Sequence, residues 1–219
     1  MAKQAAQALT SGVPEKWPGA FGAYKYSKRA VRQYVWILVC AWLIGYTVII
    51  VASVLFRHIT ILADIVNWLV STLLSAFSIT LWLAGVRDHE ADQHTAWDRA
   101  RQVMFPLLGL NILVGLALVG SFLAFIVPFF IVLPRLTLAP YYLVDKDMDV
   151  VEAFKTSWRE SKGYSRHIWG IIAATFAMAA LMVTIIGIPF SIYFLIMYGA
   201  ATAVFYEYRL HQPSNEVVK

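Results

Sequence analysis

Cysteine is almost missing. Cys40 is the single one in 219 residues, so a disulfide within the chain and a cysteine metal cluster are both excluded. Charge is scarce as well. Asp, Glu, Lys and Arg make up 14% of the chain, against about 25% in an ordinary soluble domain. So little charge cannot cover the surface of a water-soluble fold. HExxH, a phosphate-cradling glycine loop and a Gly-x-Ser-x-Gly elbow are absent. Metalloprotease, nucleotide-binding and serine-hydrolase chemistry therefore have no foothold. Catalytic residues, a metal and a cofactor are not expected.

What is abundant is apolar mass: hydrophobic residues are 60% of the chain and mean hydropathy is +0.65. That excludes disorder and makes a bilayer the natural solvent. Apolar runs of about twenty residues mark spanning helices. They fall at 34–56, 60–86, 103–125, 129–144, 167–186 and 189–206. The stretch 103–144 is too long for one helix, and a turn is expected near Val127-Pro128, because proline ends the hydrogen-bond ladder. Gly187-Ile188-Pro189 makes the matching turn between the last two runs. The expected fold is all-α, a polytopic membrane protein of six transmembrane helices forming three hairpins. Residues 1–33 and 207–219 are its tails and 34–206 its transmembrane domain.

Six crossings put both termini on one side. Of 18 Lys and Arg, all but Arg57 and Arg135 lie in the two tails and in loops 87–102 and 145–166. That asymmetry orients both termini to the cytoplasm. The net charge of +5 then points to anionic lipid rather than nucleic acid. Lys25, Lys28, Arg29 and Arg32 alternate with Tyr24, Tyr26 and Tyr34, which lipid attraction also explains. The first apolar run starts too far into the chain, and is too long, for a cleaved signal peptide.

The segments feeding runs one, three and five look alike. Each carries an alanine–aromatic pair, Ala23-Tyr24, Ala96-Trp97 and Ala153-Phe154, followed by charged residues and a span. Three units of lead-in plus hairpin follow, at about 18–86, 87–146 and 147–210. Chain around Pro14, Trp17-Pro18-Gly19 and Gly22 reads as irregular. Thr95 and Asp98 have capping-box spacing, as do Asp149 and Glu152. The third lead-in, about 148–163, is an interfacial helix with Val150, Val151, Phe154 and Trp158 on its apolar face. Lys155, Arg159 and Lys162 flank that face and are candidate contacts for lipid headgroups. Gly163 suits a left-handed stop.

The run VDKDMDVVEAFKTSWRESKG at 144–163 follows PFFIVLPRLTLAPYYL. Together, through Pro128, Arg135, Glu152-Ala153, Ser157-Trp158 and Lys162-Gly163, they resemble the membrane domain associated with glycerophosphoryl diester phosphodiesterases and its stand-alone bacterial relatives. The resemblance covers about forty residues. It implies a multi-pass protein of a bacterial cytoplasmic membrane. It carries no catalysis over, because the diesterase activity of the fused relatives belongs to a separate soluble barrel.

Ionisable groups at membrane depth are costly and face the bundle interior. Asp64 and Arg135 are the two candidates, and their expected depths allow an ion pair. Asp64, Asn67, Ser71, Ser75 and Ser78 follow steps of 3, 4, 4 and 3, which is one helical stripe. With Asn111, and with Pro134 and Pro140 around Arg135, a polar crevice in the outer half of the bundle is expected at Asp64, Asn67, Asn111 and Arg135. The alternative is that these groups only fix helix packing. His89, Glu90, Asp92 and His94 read as a solvated loop rather than a metal site. Trp36, Trp82, Trp169, Tyr34, Tyr141, Tyr142, Tyr206 and Tyr208 read as an aromatic belt. The pattern points to a non-enzymatic membrane module that binds membrane lipids or a membrane or cytoplasmic protein partner. The alternative is a small transporter or permease-like subunit.

Overall fold

The computed structural model describes residues 14, 17–87, 92–124, 126–180 and 187–211. Among the described residues the chain is all-helical. Helix α1 is Gly19–Val31, α2 Val35–Leu55, α3 Thr60–Val86 and α4 Gln93–Ala124. Helix α5 is Ile126–Leu136, α6 Ala139–Lys146, α7 Val150–Glu160, α8 Ser165–Ala180 and α9 Gly187–His211. Three of them, α2, α3 and α4, are long and apolar enough to cross a membrane. That is half the expected number of crossings.

Helices α2 and α3 keep the bounds their apolar runs suggest, and elsewhere the structure redraws the elements. The first lead-in is helical from Gly19, with Pro18 at its N-cap, so Gly22 lies within a helix rather than in irregular chain. The second lead-in has no separate existence. It runs unbroken into the third span as α4, with Pro106 inside. Ala96 N–H donates to the carbonyl of Asp92 and Asp98 pairs with His94 at 3.0 Å, so Thr95 caps nothing. The break expected near Val127-Pro128 is found just before it, α4 ending at Ala124 and α5 beginning at Ile126. The fourth span divides at Thr137–Leu138, where Pro140 opens α6. Proline is tolerated in a first turn because its missing N–H has no partner to lose there. Gly187-Ile188-Pro189 likewise begins α9, while 181–186 lie outside the described residues.

Small buried residues explain why the lead-ins dock. Ala23, Ala96 and Ala153 are at most 1% exposed, and Ser27, Ala100 and Ser157, four residues on, are fully buried. Each lead-in thus presents a small-residue stripe one helical turn apart, which lets a neighbour approach closely. The contacts recur cyclically. Helix α4 lies on α3, α7 on α6 and α1 on α9, so each lead-in packs against the helix that ends the preceding unit and the first closes on the last. The closing helices also meet each other: α3 touches α6 and α9, and Tyr206 of α9 packs its ring on Tyr141 and Tyr142 of α6. This recurrence supports three units built alike.

Burial is concentrated at one end. Among the described residues, the second half of α3, the stretch 138–144 and the second half of α9 carry most of the core, including Leu81, Leu138, Leu143, Phe205 and Tyr206. The far half of the bundle leaves Leu43, Ile44, Val54, Leu55, Leu116, Leu123 and other large apolar side chains exposed on α2 and α4. An apolar surface of that extent belongs against lipid or another protein, not water.

At the tightest crossing, a Cβ built on Gly85 would fall on the carbonyl of Ala30 in α1, whereas Gly115 in α4 has open space around it. Gly85→Ala should therefore destabilise the protein by about 1–3 kcal/mol through overpacking. Gly115→Ala should be neutral or stabilise by roughly 0.5–1 kcal/mol. Thermal unfolding of both variants in detergent measures the difference.

Candidate functional site

Where α3, α6 and α9 end, charged side chains converge. Arg87, the C-cap of α3, donates to both carboxylate oxygens of Asp145, Nη1 to Oδ1 at 2.6 Å and Nη2 to Oδ2 at 2.8 Å. Its Nε donates to Oε1 of Glu207 at 2.7 Å. The guanidinium fork suits this task, because it offers parallel N–H groups to one carboxylate and a third to another. Tyr206 adds a hydroxyl hydrogen bond to Asp145 Oδ2 at 2.9 Å. Asp145 and Glu207 side chains are only 12% and 4% exposed. One cation thus joins three helix ends that lie far apart in sequence.

Burial governs how these acids titrate. For Asp145, burial pushes the pKa up, but the hydrogen bonds and charge of Arg87, helped by Tyr206, outweigh it and hold the carboxyl below its ordinary value. For Glu207, burial wins over Arg87 and holds the pKa above the ordinary value. The hydrogen bonding of Arg87 to Asp145 is the largest influence on the guanidinium, and its pKa is raised.

Two more arginines close helix ends beside this junction. Arg99 of α4 donates to the Val144 carbonyl, Nη2 at 2.6 Å, and pairs with Asp147 at 2.7 Å. Arg209 of α9 donates Nε to the Glu160 carbonyl at 3.1 Å and Nη2 to its carboxylate at 2.8 Å. Both satisfy carbonyls that a helix leaves without an internal partner in its last turn. Arg209 also lies 4.9 Å over the Tyr164 ring. Tyr34, Tyr141, Tyr142 and Tyr206 are buried in this region, not spread in an exterior belt. Trp36 of the expected belt is 76% exposed.

The outward side of this end is basic. Asp149 caps α7, its carboxylate accepting from Val151 N–H at 3.4 Å, and Gly163 beyond the helix takes φ +89°. The helix buries Ala153, Ser157 and Ser161. It does not bury the four residues assigned to one apolar face: Val150 and Phe154 are half-buried, while Val151 and Trp158 are exposed. They are exposed beside Lys155, Arg159 and Lys162, at helical spacing along one stripe. The apolar face splits because the small residues, not the large ones, take the contact with the bundle. Lys25, Lys28 and Arg32 are exposed on and after α1 at the same end.

The four outer polar residues do not converge. Asp64 and Asn67 are exposed on α3, and Ser71 donates to Asn67 Oδ1 at 3.3 Å. Asn111 donates to Thr72 Oγ1 at 3.3 Å, and Ser78 accepts from Trp42 Nε1 at 3.1 Å. Arg135 turns away to α7. Its guanidinium carbon lies 4.7 Å over the Trp158 ring. Its carbonyl accepts from Ser157 Oγ at 2.6 Å and Ser161 Oγ at 3.3 Å. No Asp64–Arg135 ion pair occurs among the described residues. Arg135 lies seven residues from Pro128, as its position in the run suggests, but the residues it meets are on α7. Of the stripe from Asp64 to Ser78, Ser78 supplies a hydrogen bond between helices. His89 and Glu90 lie outside the described residues, and His94 is exposed.

Comparison with protein-family models, with curated proteins and with solved structures finds no match. Function therefore has to be argued from the site itself.

The Arg87 junction missed in the sequence had one signal. Glu207 stands between Phe205-Tyr206 and Tyr208 at the end of an apolar run, where an unpaired acid would be costly. Replacing Arg87 by Gln should destabilise the fold by roughly 2–4 kcal/mol, since two acids lose their cation. Arg87→Lys should recover only part, having lost the fork. On acidification Glu207 takes its proton first, with no loss of stability from its own titration, because the folded state favours its neutral form. Stability from Asp145 is present above its unfolded pKa and disappears as pH falls through its lower folded value. Asp145→Asn should remove that acid-sensitive step. Unfolding midpoints in detergent across the carboxylate range test both statements.

Proposed function

We propose that this chain is a non-enzymatic, six-crossing module of a bacterial cytoplasmic membrane that grips anionic lipid on the cytoplasmic face. Several observations support six crossings. Helices α2, α3 and α4 are long and apolar enough on their own. The α5–α6 pair covers 126–146 with one short break, α8 runs 16 residues, Ser165–Ala180, and takes in the described part of the fifth run, and α9 has 25 residues, about 37 Å at 1.5 Å per residue, against a hydrocarbon core of about 30 Å. The junction at Arg87 brings three of these helix ends to one side, and nearly all the lysine and arginine in the sequence falls in the segments expected there, in keeping with a cytoplasmic location for both termini. The resemblance at 128–163 supports the bacterial setting.

The observation that carries the lipid reading is the exposed stripe of α7. Val151 and Trp158 alternate there with Lys155, Arg159 and Lys162. An aromatic and an aliphatic side chain seat such a helix at the acyl boundary, and the long cationic stems reach to phosphate. Helix α1 repeats the combination, with Phe21 80% exposed near Lys25 and Lys28. The permease alternative would need Asp64, Asn67, Asn111 and Arg135 to line one crevice, and Arg135 is engaged with Trp158 instead.

Each cation near an anionic surface is worth about 1 kcal/mol at moderate salt. Lys155→Gln, Arg159→Gln and Lys162→Gln combined should cut the preference for phosphatidylglycerol over phosphatidylcholine by about tenfold or more. Native mass spectrometry of protein released from mixed nanodiscs measures the retained lipid. An unchanged preference would point to a protein partner at this face instead.

A further inference from the structure

Between α2 and α3 runs a cleft of about 710 Å³, closed at one end by Gln93 and Trp97 of α4. Its walls are apolar: Trp36, Cys40, Ala41 and Val48 from α2, Leu73 and Phe77 from α3. The wall from Trp36 to Val48 is about 18 Å long at 1.5 Å per residue, close to one leaflet of a hydrocarbon core about 30 Å thick. Gly45 is why the helices leave this shape, since a Cβ there would strike Leu74. The cleft is flanked by two helices able to cross a membrane, so it opens sideways into the acyl layer. Gln93 makes the closed end polar, and a cation stands beside it. Arg101 lies 5.5 Å over the Trp97 ring and is exposed, while Asp98 on the same helix is held by His94. Arg32 lies four residues before Trp36 in the chain.

We propose that this cleft is a binding site for one anionic phospholipid of the surrounding leaflet, an acyl chain lying between α2 and α3 and its headgroup phosphate at Arg101. The inference rests on the reading of the chain as a lipid-binding membrane module. It goes further by assigning a discrete, chain-filled site away from α7. Burial of an acyl chain along the apolar walls supplies affinity, and the arginine supplies the choice of headgroup.

The test places the full chain in vesicles containing phosphatidylglycerol or phosphatidylcholine with a photoreactive group at mid-chain, and maps the crosslinked peptides. Label should concentrate on residues 36–48 and 70–77, several-fold above the exposed stretch 112–123 of α4. Phosphatidylglycerol should label more strongly than phosphatidylcholine. Alkylating Cys40, which is exposed, with a cyclohexyl maleimide in the folded protein should suppress this label without requiring a variant to fold. Arg101→Gln should abolish the headgroup preference and leave the chain label. The triple α7 variant should leave cleft labelling intact, so failure of either reading shows separately. Label spread evenly over the apolar belt, undiminished after Cys40 alkylation, or indifferent to Arg101→Gln would overturn the proposal.

Discussion

The rest of the structure depends on Arg87 standing between two carboxylates. Asp145 comes from the end of α6 and Glu207 from the last turns of α9, and neither can be left unpaired at its degree of burial. The constraint is geometric before it is energetic. A buried ion pair gains little over an apolar contact of the same volume, but it tolerates only one arrangement of its partners. Three helices whose apolar surfaces could slide past one another are held at one register. Tyr206 tightens the arrangement by giving Asp145 a further donor and by filling the space between α6 and α9 with its ring.

From that junction the bundle is built outward. The lead-ins dock on the closed end through alanine and serine, whose small side chains bring helices close enough to bury backbone. Because the small residues face inward, the large and charged ones face outward, and α7 ends with tryptophan, lysine and arginine on one surface. Between α2 and α3, beside their close contact at Gly45, the bundle leaves an apolar cleft. The same asymmetry, packed at one end and open at the other, thus underlies both the cationic surface and the lateral cleft on which the proposed lipid roles rest.

Much of this was readable in the chain itself. Apolar run length set the bounds of α2 and α3, because nothing competes with hydrophobic length in such segments. Asp149 and Gly163 marked the ends of the third lead-in through local chemistry alone, and α7 runs between them. Other features depended on contacts between distant segments. Arg87, Arg99 and Arg209 counted equally as surface cations in the sequence, and only their acceptors, Asp145, the Val144 carbonyl and Glu160, give them structural roles. Tyrosines at helix ends look the same whether they face headgroups or each other. The division of the fourth span after Leu136 was hidden because Pro134 is tolerated inside α5 and Pro140 opens α6. Arg135 lies against Trp158 rather than in the expected outer crevice.

The proposed topology puts the ends of α3, α6 and α9 on one side of a membrane, opposite the turn between α2 and α3. Single cysteines placed by Asp92→Cys, Lys146→Cys, His211→Cys and His58→Cys, each with Cys40→Ser, test it with a membrane-impermeant maleimide. The account predicts that the first three label only in inverted vesicles and that His58→Cys labels only in right-side-out cells. Labelling of any one of the first three from the face opposite to the other two would contradict it.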